Sequence, residues 1–163
     1  MSKPRRTKKK KGASAQYEVE RILAVRLDPA SKTVHSCLIK WKDYDDTHNS
    51  WEPDANVDAG PARNEALTHI WSPNAKWTWE YYLAQPQDGY AAGWHPFDQS
   101  AQDAMSHYLF FYCHGIKPLG DQLVVVSGPR RYSYTIDIAA MTQTNANLPN
   151  KMMRPIRCTP DLE

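Results

Sequence analysis

Cysteine is scarce in this chain of 163 residues. The three, Cys37, Cys113 and Cys158, lie far apart and form no C-x-x-C pair. That excludes a disulfide framework and a cysteine-rich zinc site as organising devices, and it favours a reducing compartment. No apolar run approaches the roughly 18 to 20 residues that span a bilayer, and the first residues lack the apolar stretch of a secretory signal. The expectation is a soluble, intracellular protein that makes no membrane contact. Catalytic patterning is missing too. The six histidines are scattered without an H-E-x-x-H, and no Ser-His-Asp, His-Cys or paired-carboxylate spacing stands out. An enzyme is not expected, and nothing calls for a cofactor or a metal. Phenylalanine is rare, with three copies against nine Tyr and six Trp. The abundant aromatics are those that pair a large apolar face with a polar handle, which suits recognition surfaces.

The first fourteen residues lack acids altogether. "MSKPRRTKKKKGAS" carries seven Lys and Arg, which leaves thirteen basic against eighteen acidic residues in the rest of the chain. Self-repulsion and the want of apolar side chains prevent such a run from folding alone, so a disordered arm is expected over 1–14. Its chemistry suits a nuclear-import signal, or a sequence-independent nucleic-acid contact through residues 3–11 whose strength falls with salt. A plain solubilising tail is the alternative.

From residue 17 the pattern becomes strand-like. "YEVERILAVRLD" alternates loosely, "PASK" turns the chain, and "TVHSCLIKWK" alternates again, with Val34, Cys37, Ile39 and Trp41 as candidates for burial. "DYDDTHN" is a turn-rich connector and "SWEP" a short third strand stopped by Pro53. In "DAGPARNEALTHIW", Asp58 is a candidate N-cap, with Leu67, Ile70 and Trp71 on one helical face. Within "IKWKDYDDTHNSWEP", Trp41 and Tyr44 read either as strand packing and a turn cover, or as surface recognition groups. Residues 17–72 hold six basic against ten acidic side chains, a balance that suits a basic peptide better than nucleic acid.

A short Pro-containing break, "SPNAK", precedes a second composition. "WTWEYY" alternates like a strand, and "GWHPFD" returns after a Gln, Asp, Gly and Pro loop to make a hairpin. "SAQDAMSHYLFFYCHG" follows, with Ser100 a candidate N-cap, Met105, Tyr108, Leu109 and Tyr112 at helical spacing, and Gly115 a candidate C-cap. Strands are expected in "DQLVVVS", "YSYTIDIAAM" and "MMRPIRC". The order is that of a mixed α+β unit with antiparallel strands.

"YEVERIL", "LIKWKDY" and "NSWEP..NV" make residues 16–71 resemble a chromodomain. The resemblance implies a three-stranded antiparallel sheet with a C-terminal helix. It also implies a histone tail that adds itself as a strand, with a methylated lysine in an aromatic cage. The cage positions match Tyr17, Trp41 and Tyr44, and the peptide groove matches Val19, Glu52, Asn56 and Asp58. A methylated ammonium that has lost its N–H donors is held by ring faces, at roughly 0.5 to 2 kcal/mol per ring. The sequence departs from the pattern at His48, where many methyl-lysine readers carry an acid, which implies a weaker or pH-dependent cage.

"WTWE", "GWHPFD", "YTIDIAAMTQTN" and "RPIR" make residues 76–159 resemble a WWE domain, which implies an antiparallel half-barrel sheet packed on one helix. Members commonly bind the iso-ADP-ribose unit of poly(ADP-ribose), and others serve as protein-interaction modules. The ligand-contacting Tyr, Gln and Arg fall on Tyr134, Gln143 and Arg154. The pocket-closing aromatic falls on Trp79, with Tyr81 as the alternative register. The family's Glu aligns with Ser106, which implies one contact missing.

The expected architecture is thus α+β in two small domains: a basic arm at 1–14, a chromodomain at 15–71, a linker at 72–75, a WWE domain at 76–159 and a tail at 160–163. The expected function is that of a non-catalytic nuclear chromatin reader. Its partners would be a methylated histone tail and poly(ADP-ribose) or an ADP-ribosylated protein. The alternative is an interaction scaffold or nucleic-acid tether that works through the arm, with one or both ligand sites inactive.

Overall fold

The structure is a computed structural model that describes residues 17–58, 60–116, 122–150 and 152–162. The basic arm expected at 1–14 lies outside the described residues. Among the described residues no helix is long and apolar enough to cross a membrane.

The first sheet holds β1 (Val19–Leu27), β2 (Val34–Trp41) and β3 (Ser50–Pro53) in the antiparallel order β1-β2-β3. The β1–β2 turn is held by Asp28, whose carboxylate accepts from the Ala30 and Ser31 amides at 2.9 and 2.8 Å. Helix α1 (Gly60–Ile70) packs back on β1 through Ala66, His69 and Ile70. Two expectations need correction here. Asp58 sits two residues ahead of the first helical residue, and Trp71 is 57 % exposed beyond the helix end, because the inward face runs through Ala66, His69 and Ile70.

The second sheet is built from β4 (Trp77–Leu83), β5 (Gly93–Pro96), β6 (Leu123–Ser127), β7 (Tyr132–Asp137), β8 (Thr142–Asn145) and β9 (Met153–Pro160), in the order β5-β4-β9-β8-β7-β6. All pairs are antiparallel. Helix α2 (Gln99–Cys113) covers part of one face with Ala101, Met105, Leu109 and Cys113. The whole is the expected α+β arrangement, a three-stranded sheet with a helix followed by a half-barrel sheet packed on a helix. Strand β8 was absent from the strands expected from sequence, because "TQTN" is short and polar even though Thr142, Gln143 and Asn145 are buried.

The cap of α2 also differs from expectation. Asp98, not Ser100, holds the N-cap position, and its carboxylate turns away from the helix to accept from the Gly128 amide at 3.2 Å and Arg131 Nη1 at 2.7 Å. At the other end Gly115 closes the helix as expected, at φ +69°. The Gly115 and Ile116 amides donate to the Tyr112 and Phe111 carbonyls at 3.1 and 3.0 Å, the paired bonds of a Schellman motif.

Ser106 uses all of its own hydrogen-bonding sites. Its hydroxyl accepts from the Trp77 amide at 3.1 Å and from Trp79 Nε1 at 3.2 Å, and donates to the Trp77 carbonyl at 3.0 Å. A hydroxyl has one donor and two acceptor sites, so all are used.

The two sheets share one apolar core that runs from Ile22 and Leu27 to Met105 and Ile156. Trp77 Nε1 donates to the Leu23 carbonyl at 3.0 Å, and His114 Nε2 to the Ile70 carbonyl at 2.9 Å. Trp51, on β3, lies at this junction. Its Nε1 donates to the Ile138 carbonyl at 3.1 Å and its ring meets Tyr112 edge-on at 5.3 Å. A Cβ on Gly115 would come within 2.9 Å of the Leu27 carbonyl oxygen across the same junction.

Calorimetry is expected to show one unfolding transition, since the two halves share one connected core. Gly115→Ala should lower stability by about 2 kcal/mol in urea titration, from left-handed backbone strain plus the clash. Two resolved transitions in the unsubstituted chain would contradict the shared core.

Candidate functional sites

The open end of the first sheet gathers three rings. Tyr17 precedes β1, Trp41 ends β2, and Tyr44 follows one tight turn later. The Tyr17 ring lies 6.0 Å from Trp41 and 5.9 Å from Tyr44, both edge-to-face. Strand pairing brings them together, with Val19 opposite Trp41 and the Lys42 amide donating to the Glu18 carbonyl at 3.0 Å. Lys40 then fixes the turn. Its Nζ donates to the carbonyls of Trp41 and Tyr44 and pairs with Glu20 at 2.8 Å. Asp43 takes the left-handed conformation, φ 65°, that lets the chain reverse so tightly.

Trp41 is nearly buried, and its Nε1 donates to Ser50 Oγ at 3.0 Å, while that hydroxyl donates to Glu52 Oε1 at 2.9 Å. The indole is thereby locked in one orientation. His48 packs on Tyr44 with centroids 5.3 Å apart, and its Nδ1 lies 3.2 Å from Asp45 Oδ1. The imidazole at position 48 thus has a carboxylate partner three residues earlier. Hydrogen bonds from the Thr47 hydroxyl and amide, with His48 beside it, hold the Asp45 carboxyl below its usual range. Of the expected groove residues, Val19 and Glu52 are half-buried, and Asn56 and Asp58 are exposed.

A second constellation lies on the face of the larger sheet that α2 leaves partly open. Alternation along strands puts Tyr81 on one face with Ile156, its register partner, and with Arg154 two residues earlier. Arg154 pairs in register with Gln143, and Gln143 with Ile136, which places Tyr134 on that face as well. Tyr81 lies within electrostatic reach of Tyr90, Tyr134 and Arg154. Burial pushes its phenol upward against the opposing pull of Arg154, and burial does the same to Tyr134. Both phenols therefore stay protonated, as donors, at neutral pH.

Trp79 needs correction. It is on the same face but wholly beneath α2, with no exposure and its Nε1 spent on Ser106, so no ring face remains for a ligand. Tyr81, two residues further on and past the end of the helix cover, occupies the open part. Two residues of the setting carried no mark in the sequence. Gln87 accepts from Arg154 Nη2, and Asp88 pairs with Arg130 at 2.9 Å. Both come from a loop whose tight Asp88-Gly89 turn, φ 51° and 85°, is legible only once the strands on either side are placed.

Gln143 is the unusual member. It is 2 % exposed, and its Oε1 has no hydrogen-bond partner among the described residues. A buried amide oxygen left unpaired is destabilising by about 1 to 3 kcal/mol, which a ligand donor would relieve.

The Chromo (chromatin organisation modifier) domain model matches residues 17–66, and the WWE domain model matches residues 76–158. The chain belongs to the WWE family and carries a chromodomain ahead of its WWE domain. Among curated proteins and solved structures, none matches the chain. Both domains are binding modules; chromodomains bind methylated peptides and WWE domains poly(ADP-ribose), which fits a chromatin reader. Among the described residues no group of three or more His, Cys, Asp and Glu could hold a metal ion. The cysteines are buried thiols. Burial pushes Cys37 up to about 11, and Cys113 and Cys158 further still, which leaves them poor nucleophiles.

Replacing Gln143 with Met separates folding from binding. The variant should unfold in urea at an equal or higher midpoint, because an unpaired buried acceptor has been removed. A drop of more than about 1.5 kcal/mol would mean that the amide serves the fold instead.

Proposed function

We propose that this chain is a non-catalytic nuclear reader of modified chromatin with two ligand sites. The chromodomain takes a methylated lysine of a basic histone tail among Tyr17, Trp41 and Tyr44. The tail lies as an added strand against Val19, Glu52, Asn56 and Asp58. The WWE domain takes the iso-ADP-ribose unit of poly(ADP-ribose), or of an ADP-ribosylated protein. Tyr81 and Tyr134 offer flat faces and hydroxyl donors, Gln143 an amide for the base, and Arg154 the charge for a phosphate.

The observation that carries the reading is the meeting of three rings at a sheet end, with Tyr17 6.0 Å from Trp41 and 5.9 Å from Tyr44. Aromatic rings carry negative faces, and a methylated ammonium satisfied by such faces needs no acceptor. The surrounding charge agrees, since the chromodomain is acidic and a histone tail is basic. For the second site the unpaired Gln143 oxygen beside Arg154 is the supporting observation.

Titration with a trimethyl-lysine Ala-Arg-Lys-Ser peptide and its unmodified twin tests the first site. Clear preference for the methylated form is expected, and Tyr17→Ala should remove about 0.5 to 2 kcal/mol of it. Equal affinity for the two peptides would overturn the reading.

Calorimetric titration with iso-ADP-ribose tests the second site. Arg154→Ala should weaken binding by about 1.5 to 3 kcal/mol, the worth of a charge-assisted hydrogen bond. Indifference to that substitution would count against the assignment.

A further inference from the structure

Arg157 and Arg154 stand three positions apart on β9, and so face opposite sides of the sheet. Arg154 points to the ADP-ribose constellation, whereas Arg157 reaches the chromodomain. Its Cζ lies over the Trp94 ring, 4.5 Å from the centroid. Its Nε donates to Glu80 Oε2 at 2.6 Å and its Nη1 to Asp46 Oδ2 at 2.8 Å. Glu80 is the register partner of Arg157 in the WWE sheet, while Asp46 opens the short turn Asp46–His48 of the chromodomain. Burial is shared, with side-chain exposures of 24 % for Arg157, 23 % for Asp46 and 22 % for Glu80.

That turn backs the cage. Asp46 uses its second oxygen to accept from Asn49 Nδ2 at 3.1 Å. His48, at the end of the turn, lies against Tyr44, and Ser50, just after it, holds the Trp41 indole. Residues 46–50 thus support two of the three rings. Their anchor is an arginine from the other domain.

We propose that Arg157 is a positioning residue for the methyl-lysine cage, so that the cage is a composite of both domains. The proposal rests on the cage reading above. A single 3-10 turn lacks the cooperativity of a longer helix and takes its order from outside partners. Rings ordered before the ligand arrives spare the entropy of ordering them on binding. The planar guanidinium stacks and bridges two carboxylates at once, which an ammonium does not do.

The sign of the effect separates positioning from charge. Removing Arg157 takes a cation from the cage side and bares Asp46, so charge alone would tighten binding of a basic peptide. Loss of positioning weakens it.

The test uses the full chain with Arg157→Ala, Arg157→Lys and Asp46→Asn. Trimethyl-lysine peptide affinity is expected to fall on the order of five- to tenfold in Arg157→Ala, less in Arg157→Lys, and comparably in Asp46→Asn. Iso-ADP-ribose affinity, reading the opposite face of β9, should stay within about twofold and reports that the fold persists. Amide exchange at His48 and Asn49 should quicken in all three variants. Unchanged or tighter peptide binding with unchanged exchange would overturn the proposal. Should the unsubstituted chain prefer no methylated peptide, the cage reading fails by itself. Exchange at His48 and Asn49 still decides whether Arg157 holds the turn.

Discussion

The burial of Trp77 ties the molecule together. Its indole is 2 % exposed, donates to the Leu23 carbonyl of the first sheet, and meets His69 of α1 edge-on at 4.9 Å. Its own amide and carbonyl close on Ser106 in α2. One residue therefore touches both sheets and both helices. Small units of this size bury too little surface alone to offset their ordering entropy with much to spare, and merging two cores changes that balance. Trp51, His114 and Gly115 extend the same seam.

The merged core bears on recognition. Pre-ordering a cage or a phosphate site matters most where the ligand offers few directional bonds, as a methylated ammonium does. Lys40, Ser50 and the turn Asp46–His48 each fix part of the ring cluster without touching its interior. The WWE side follows the same logic differently. Its sheet supplies Tyr81, Tyr134, Gln143 and Arg154 from four strands, and cross-strand register alone sets their spacing. With both ring and arginine constellations on one shared core, the proposed sites would stand at a fixed separation, which favours avidity toward any partner that carries both marks at a matching span.

Much of this was legible beforehand, and the failures have physical reasons. The two strand-rich units, the first hairpin and the Gly115 cap follow from alternation and turn chemistry. The placing of Tyr17, Trp41 and Tyr44 together came instead from the resemblance to a chromodomain. Strand β8 was hidden because its inward residues are Thr142, Gln143 and Asn145, and hydrophobic periodicity says nothing about polar side chains buried for hydrogen bonding. Trp79 misled for the opposite reason. Its strand shows three large aromatics at alternate positions, and nothing local says where the helix that covers them ends. The bonds of Ser106 were not legible either, since a serine hydroxyl becomes the centre of three bonds only when two tryptophans converge on it.

Local pattern thus determined the kinds of element, their order, and the residue types able to hold a methylated ammonium or a phosphate. Those properties depend on side chains a few positions apart, and neighbours in sequence fix them. Tertiary structure decided which aromatics are covered by α2, that the Gln143 amide oxygen lacks a partner among the described residues, and that Arg157 of one domain bonds to the turn behind the other's ring cluster. These depend on residues as much as 111 positions apart, as Asp46 and Arg157 are, and only the packing of the two sheets brings them together.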